Sequence, residues 1–173
     1  PGGAGSIGSA LVATAPADGY TILLVNSSHS INPHVYKNLP FDAMKDFAPV
    51  TIMTDLPMGV FVNSKVPAKN LAELIALVKA NPEKYSFASS GNGGAGHLTG
   101  QMFQQQTGVK LVHIPYRGSA LAVNDVVAGQ VPILFADAPV AAPHVRSGAL
   151  RGLGITSATR VASMPDVPTV QEA

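Results

Sequence analysis

The sequence contains no cysteine and no tryptophan, and only 12% of its 173 residues are charged. The absence of cysteine excludes disulfides, thiolate metal sites and cysteine nucleophiles. The 11 lysines and arginines are scattered and the net charge is +1, so the basic cluster of a nucleic-acid-binding surface is missing. Apolar runs such as TILLV and VPILF are far shorter than the roughly 20 residues of a membrane span. These absences predict a globular protein with no nucleic-acid partner and no insertion into a membrane.

The carboxyl-terminal two thirds of the chain alternate between strand-like and helix-like segments. Asn70 is a predicted N-cap, with Glu73 three residues later as in a capping box, and the helix they begin is ended by Asn81-Pro82. The segments that then alternate are YSFASS and HLTGQMFQQQ, KLVHIPY and SALAVNDVVA, VPILFADA and APHVRSG, and a final LRGLGITS. This alternation predicts an α/β fold with mainly parallel sheets.

The amino-terminal third is predicted to contain one helix and three strands. SIGSALVATA reads as a helix over residues 6–15, closed by Pro16 and Gly19. Strands are predicted at TILLVNSS (21–28), APVTIMT (48–54) and MGVFVNS (58–64).

Small or polar residues follow four of the predicted strands. They are Asn26 to His29, Ser89 to Asn92, Tyr116 to Ser119, and Asp137. Ligands of open α/β sheets bind outside the carboxyl ends of the strands. We therefore expect these four strand ends to meet at one cleft.

Two glycine-rich stretches match G-x-G-x-x-G, namely GAGSIG at 3–8 and GNGGAG at 91–96. A dinucleotide loop also needs an acidic residue about twenty positions later to bind the ribose, and neither stretch has one. Arg117 stands near that position after the second stretch and could receive a 2′-phosphate. An NADP-dependent oxidoreductase using the GNGGAG loop and Arg117 is therefore the alternative interpretation.

Other enzyme and metal sites find little support in the sequence. Ser89 and Ser90 precede the glycines, so the G-x-S-x-G elbow of a hydrolase is absent, although Asp137 and His144 follow in triad order. His29 and His34 flank an Asn-Pro pair, and we expect no regular helix to align them as metal ligands. No catalytic residue, metal or cofactor is predicted. A glycine-rich loop followed by a helix amino terminus remains as a binding site for a small anion.

Six segments carry a resemblance that covers nearly the whole chain. They are PGGAGSIGSALVATAPADGYTILLVNSSHSINPHVY, LPFDAMKDFAPVT, VPAKNLAELIALVKANP, FASSGNGGAGHLTGQMF, VHIPYRGSALAVNDVVAGQV and LGITSATRVASMPDVPTVQEA, in this order. Together they resemble the solute-binding receptors of the tripartite tricarboxylate transporter family, also called Bug or TctC-like proteins.

The resemblance implies a two-lobed, type II-like periplasmic-binding-protein fold. Residues 1–63 and 154–173 would form an incomplete first lobe, and residues 64–153 the second lobe. The chain starts without Met and ends in MPDVPTVQEA, so we expect an internal fragment that lacks the signal peptide and parts of the first lobe.

The resemblance also implies a function and a site. The protein would be a periplasmic receptor, a monomer in its full-length form, that captures a di- or tricarboxylate or an acidic amino acid and delivers it to a membrane permease. The matching ligand-binding positions are Ser27, Ser28, His29, Ser90, Gly91, Asn92, Gly94, His97, Tyr116, Gly118, Ser119, Ala120 and Asp137. Asp137 would repel an acidic ligand and attract an ammonium group, so an amino-acid ligand is expected if its carboxylate faces the cleft.

Overall fold

A computed structural model describes residues 3–82 and 84–173, and it contains one five-stranded sheet flanked by helices. A 3-10 turn at Gly3–Gly5 precedes the first helix. The helices are α1 (Ser6–Ala13), α2 (Ser28–Val35), α3 (Leu71–Ala80), α4 (Ala95–Thr107), α5 (Ser119–Ala128) and α6 (Ala138–Arg146). The strands are β1 (Met58–Asn63), β2 (Ser86–Ser89), β3 (Val112–Pro115), β4 (Ile133–Asp137) and β5 (Leu150–Ile155). None of the helices in the described residues is long and apolar enough to cross a bilayer.

The sheet is mixed, with the strand order β3-β2-β4-β1-β5. β2 pairs in parallel with β3 and with β4, whereas β1 runs antiparallel to both β4 and β5. The predicted α/β class is therefore confirmed. Only part of the sheet is parallel, because the chain enters it through β1 from the edge at which β2, β3 and β4 end.

Helices cover both faces of the sheet and bury a separate apolar cluster on each. On one face α3 and α4 pack over Val60, Val62, Phe87 and Phe135. On the other face, α5 and α6 contribute the alanines and valines that pack against Phe61 and Leu134. The alternation of neighbouring β1 residues between the two clusters is the period-2 pattern of a strand buried on both faces.

Most predicted elements after residue 58 are confirmed. The side chain of Asn70 accepts a hydrogen bond from the backbone N–H of Glu73 (2.8 Å), and Glu73 in turn accepts one from the N–H of Lys69 (2.7 Å). These two bonds resemble a capping box, except that the Glu73 side chain binds the N–H of Lys69 instead of that of Asn70. They explain why α3 begins at Leu71.

Two of the strands predicted in the amino-terminal third are wrong. Residues 21–26 and 48–54 form no strand, and no strand of the described residues pairs with either run. Their apolar side chains are exposed, with Ile22 at 83% and Ile52 at 90%. An apolar run becomes a strand only where a partner accepts its backbone hydrogen bonds, and that partner cannot be read from the run itself.

Helix α2 stands where a loop was expected. It contains both His29 and His34 and continues through Pro33, so a regular helix forms here against expectation, although it does not align the two histidines on one face. Pro33 lies in the second turn of this eight-residue helix. Five positions separate the two rings, which places them about 140° apart around the helix axis.

The chain enters and leaves the sheet at neighbouring points. The backbone N–H of Thr156 donates to the carbonyl of Met58 (2.9 Å), and the Met58 N–H donates to the Thr156 hydroxyl (3.0 Å). The N–H of Ala138 binds the Pro57 carbonyl (2.8 Å), which ties α6 to the same point. The predicted lobe boundaries at 63/64 and 153/154 fall within the sheet, because β1 and β5 pair along their length.

Helix α4 lies unusually close to the sheet because two of its residues are glycines. A Cβ at Gly96 would overlap the carbonyl oxygen of Phe135, and a Cβ at Gly100 would lie 2.5 Å from the Phe87 ring. Both glycines are buried in the helix–sheet contact. The depth at which α4 sits therefore depends on their lack of side chains.

We expect Gly96→Ala to destabilise the protein by about 1–3 kcal/mol, because backbone rather than a flexible side chain occupies the space. Gly8→Ala is the matched control. Gly8 is helical in α1 and a Cβ added there would have no neighbour within 4 Å, so alanine should stabilise α1 by up to about 1 kcal/mol. Urea denaturation measures both. Equal stabilities of the two variants would contradict the close packing of α4.

Candidate ligand-binding site

Two loops at the carboxyl ends of parallel strands are joined by hydrogen bonds. The loop after β2 contains Ser90, whose carbonyl accepts a bond from the N–H of Gly118 in the loop after β3 (3.2 Å). The Tyr116 N–H donates to the Ser89 carbonyl (3.0 Å), which extends the β2–β3 pairing into the loops. Asp137 ends the next parallel strand, β4, at the same edge.

The amino-terminal segment reaches this edge through α2. The Tyr36 hydroxyl donates to the carbonyl of Asn92 (3.3 Å), and Val35 fills the space beside Gly93. A Cβ at Gly94 would lie 3.6 Å from the Ser90 hydroxyl and 3.9 Å from the Ser28 hydroxyl. Two of the stretches predicted to converge, 26–29 and 89–92, therefore lie together beside Gly94, although the first follows no strand.

The amino termini of α2 and α4 meet at Gly94, and that of α5 is tied to the same loop by the bond from Gly118 to Ser90. Gly94 caps α4, Gly118 caps α5, and Ser27 precedes α2. None of the three helices has an acidic residue in its first turn. The first N–H groups of a helix have no partner inside it, and each amino terminus favours a nearby anion by about 0.3–1 kcal/mol.

Several predicted site residues have polar side chains that are not used inside the protein. Within residues 3–82 and 84–173, no hydrogen bond is made by the side chains of Ser27, Ser28, Ser90, Asn92 and Ser119. Ser28 is buried, whereas Ser90 and Asn92 are exposed. These side chains could donate to a ligand without breaking an existing bond.

The imidazole of His29, in contrast, is fully engaged. Its Nε2 lies 3.2 Å from the Ala43 carbonyl, so it carries the proton, and its Nδ1 lies 3.4 Å from the Ser9 hydroxyl. The ring also packs against Phe41 and Phe47 at centroid distances of 5.9 and 4.9 Å. His29 thus ties α1 and the 41–47 segment to α2, and its ring nitrogens have no capacity left for a ligand.

Tyr116 is likewise bonded inside the protein. Its hydroxyl donates to a carboxylate oxygen of Asp125 on α5 (2.7 Å), and desolvation together with this bond raises the pKa of Tyr116 to about 12. Its ring packs against the apolar cluster under α5 and α6. Of the remaining predicted residues in this loop, Ala120 is exposed and Gly118 has φ 118°, a backbone conformation that glycine adopts readily.

A pair of stacked imidazoles supports the glycine-rich loop. His97 on α4 and His113 on β3 stack at 4.1 Å with an interplanar angle of 12°. Nδ1 of His97 accepts the Gly93 N–H (3.1 Å), and Nε2 of His113 lies 2.7 Å from the Ser89 hydroxyl. Burial lowers the pKa of His97, and burial together with the neighbouring His97 lowers the pKa of His113 to about 4. Sequence reasoning assigned no role to His113, because its place opposite Phe87 follows only from the pairing of β2 with β3.

The charged groups of this edge have opposite signs. Arg117 is exposed and forms no ion pair with any described residue. Asp137 caps α6 without a side-chain bond, and its burial raises the pKa of its carboxyl group. Within the described chain, no group of three or more His, Cys, Asp or Glu side chains could hold a metal ion.

Comparison with known families decides between the interpretations. The model of the "Tripartite tricarboxylate transporter family receptor" (TctC) matches residues 1–173. The chain belongs to this family. The family is described as a receptor family and BugD, a structural neighbour, as a periplasmic binding protein, so the oxidoreductase alternative has no support.

Named relatives include other Bug-type TctC proteins. Protein BugT of Bordetella pertussis is 37% identical over 173 residues, and a UPF0065 protein of Bordetella bronchiseptica is 39% identical over 174 residues. The alignments cover 99% and 100% of this chain but 53% and 51% of the two relatives. This TctC chain therefore spans about half the length of the curated relatives that it matches.

Solved structures of periplasmic binding proteins superpose closely on the chain. The periplasmic binding protein BugD gives a TM-score of 0.91 at 37% identity, covering 99% of this chain and 57% of BugD. Rpa4515 of R. palustris, solved with adipate, gives 0.92 at 32% identity, covering 98% and 57%. MatC of Rhodopseudomonas palustris, solved with malate, gives 0.85 at 26% identity, covering 99% and 59%. The periplasmic-binding-protein fold is thereby confirmed for this TctC chain.

The stacked histidines should make stability depend on pH. The pKa of His113 is about 4 in the folded state and about 6.5 when unfolded, so the unfolded state binds more protons between these values. We expect the free energy of unfolding to be highest above pH 6.5 and to fall as the pH is lowered towards 4. Urea denaturation of His113→Phe should show a shallower fall in this window than the wild type. His144→Gln on α6 serves as the control, and parallel curves for His113→Phe and wild type would contradict the assignment.

Proposed function

We propose that this TctC chain forms part of a receptor that captures a small organic carboxylate at the edge where α2, α4 and α5 begin. The observation that carries the proposal is the meeting of the α2 and α4 amino termini at Gly94, beside a loop bonded to the start of α5, with no acidic residue in the first turn of any of the three helices. A carboxylate placed there would accept bonds from backbone N–H groups, as anions do at helix amino termini.

The side chains around Gly94 would fix the ligand's orientation. The hydroxyls of Ser28 and Ser90 lie within 4 Å of the position that a Cβ on Gly94 would take, and no described residue uses them as hydrogen-bond partners. The side chains of Ser27, Asn92 and Ser119 would add hydrogen-bond donors. The backbone of Gly91, Gly118 and Ala120 would form part of the wall of the site. His97 and Tyr116 remain in the proposed site as supports of its loops, because their polar atoms bind Gly93 and Asp125. The ring of His29 is proposed to act in the same indirect way.

Ligands of structural neighbours support the proposed class. Rpa4515 was solved with adipate and MatC with malate, and both are dicarboxylates. An amino-acid ligand remains the second candidate for this chain. It is favoured by Asp137, whose carboxylate at the same edge could receive an ammonium group, whereas Arg117 favours a second carboxylate.

Capture would involve two lobes. We propose that residues 58–155 form one lobe around the sheet and that the residues before and after them belong to the other, a division that shifts the predicted boundaries to the two crossings near Pro57 and Thr156. Closure of the lobes on the ligand would present the receptor to a membrane permease of the tripartite type. We further propose a periplasmic location and a monomeric full-length protein, as the family implies.

A ligand screen tests the function. Thermal denaturation of the intact protein with citrate, succinate, malate, adipate, aspartate, glutamate or NADP should show stabilisation by at least one carboxylate, because ligands that bind the folded state raise Tm by mass action. Stabilisation by aspartate or glutamate that is lost in Asp137→Asn would support the amino-acid candidate. A response to NADP and to no carboxylate would refute the receptor proposal.

Gly94→Ala tests the place of binding. The added methyl group would make ordinary contacts with the two serine hydroxyls, and the backbone of Gly94 (φ −77°, ψ 168°) suits alanine, so we expect a change in stability below about 1 kcal/mol. The methyl group would occupy the space proposed for the carboxylate. We expect calorimetry with malate to show at least about a tenfold loss of affinity, equivalent to about 1.4 kcal/mol. Gly8→Ala is the control, and unchanged malate affinity in Gly94→Ala would place the ligand elsewhere.

A further inference from the structure

His113 lies outside the residues expected to touch a ligand, yet it is connected to the glycine-rich loop by two routes. Its Nε2 contacts the Ser89 hydroxyl, which also accepts a bond from the Gly91 N–H (3.3 Å) and lies 3.2 Å from the Gly91 carbonyl. Its ring stacks on His97, whose Nδ1 accepts the Gly93 N–H. The loop is therefore fixed at two glycines by one pair of rings.

Both glycines have backbone conformations that the rings help to hold. Gly91 has φ 144° and Gly93 has φ 72°, values that other residues rarely adopt. Ser90 and Gly94, which are central to the proposed site, lie directly before Gly91 and directly after Gly93. A loop with such glycines is free to adopt other conformations unless specific bonds select one.

We propose that His113 and His97 are positioning residues that set the conformation of loop 90–94 and thereby the affinity of the proposed carboxylate site. The proposal rests on the proposed function. The stack begins at Phe87, whose ring lies 4.7 Å from that of His113, so it connects the buried face of β2 to the first turn of α4. Ser89, the intermediate between His113 and the loop, is fully buried.

The bond between His97 and the loop requires a neutral His97 ring. A neutral His97 that accepts the Gly93 N–H at Nδ1 carries its proton on Nε2, so the Gln101 amide 3.3 Å away must turn its oxygen rather than its nitrogen towards this ring atom. A second proton on Nδ1 would place two donors opposite each other and break the bond to the loop. The groups facing the pair are Phe87 and Ser89 from β2 and Gln101 from α4, and none of them is charged. Within the described residues, the other imidazole is the only titratable group that acts on His113.

Replacing His97 by asparagine tests whether its role is to hold the loop through the bond to Gly93. The side-chain oxygen of asparagine can replace Nδ1 as the acceptor for the Gly93 N–H, but it does not titrate. We expect His97→Asn to bind malate within about threefold of the wild type at about pH 7.5. His97→Phe and His113→Phe keep an aromatic ring but lose the polar contact, and we expect each to bind malate about threefold to tenfold more weakly.

The pH profile is the second readout. Malate itself takes up protons in acid, so the measured quantity is the ratio of the affinities of His97→Asn and wild type at each pH between about 4.5 and 7.5, from which the protonation of malate cancels. We expect this ratio to rise as the pH falls, because only the wild type loses its acceptor. His144→Gln, on α6 and outside the site, should show a constant ratio. A flat ratio for His97→Asn, or a loss at neutral pH as large as that of His97→Phe, would overturn the proposal.

Hydrogen exchange of the ligand-free protein keeps the test independent of the function. We expect the amides of Gly91 and Gly93 to exchange about threefold to tenfold faster in His113→Phe than in the wild type, with His97→Asn close to the wild type at Gly93. If malate, adipate and the other carboxylates fail to bind the wild type, the proposed function fails and exchange alone decides the positioning role. Unchanged exchange in His113→Phe would overturn it. Should His113→Phe not fold, His97→Phe carries the same decision, because it loses the acceptor of the Gly93 N–H and should exchange faster at Gly93 than His97→Asn.

Discussion

The close approach of α4 to the sheet is the constraint on which the site depends. Gly96 lies against the backbone of Phe135 and Gly100 against the Phe87 ring, so the helix is held at a depth that no larger residue permits. That depth brings the His97 ring within stacking distance of His113 and the amino terminus of α4 beside Ser28 and Ser90. Packing on the buried side of the helix thus determines which groups stand at its solvent end.

The proposed site contains two kinds of residue. They share a position near strand ends, but they differ in whether their polar atoms are already hydrogen-bonded inside the protein. Some, such as Ser28 and Ser90, have hydroxyls that lie beside Gly94 and have no hydrogen-bond partner among the described residues. Others, such as Tyr116 and His29, have already used their polar atoms on Asp125, Ala43 and Ser9. Residues of the second group lose little conformational entropy when a ligand binds, because their hydrogen bonds already hold them in place in the ligand-free protein. Preorganisation of this kind reduces the ordering that binding requires.

The sheet region was predictable from sequence because its signals are local. The cap at Asn70, the glycines after α4 and α5, and the apolar runs of β1 and β4 each determine structure within a few residues. The same reasoning failed for 21–28 and 48–54, because a strand depends on a distant partner. It also missed α2, since Pro33 suggested a break where the helix continues. The positions of the site were predictable as strand ends, but the partners of His29, Tyr116 and His113 lie 9 to 24 positions away in sequence and follow only from the fold.

The hydrogen bonds between Met58 and Thr156 join two crossings that are 98 positions apart in the sequence. Two independent tethers would let the parts on either side twist as well as bend. Two crossing segments that are hydrogen-bonded to each other behave as one two-stranded ribbon. Such a ribbon bends out of its plane more easily than its strands slide past each other. If the 58–155 unit is a lobe, as proposed, these bonds would favour one principal direction of movement relative to the rest of the chain. The edge that carries Ser90 and Asp137 lies next to this ribbon, so a small rotation there would change the width of the site with little sideways displacement.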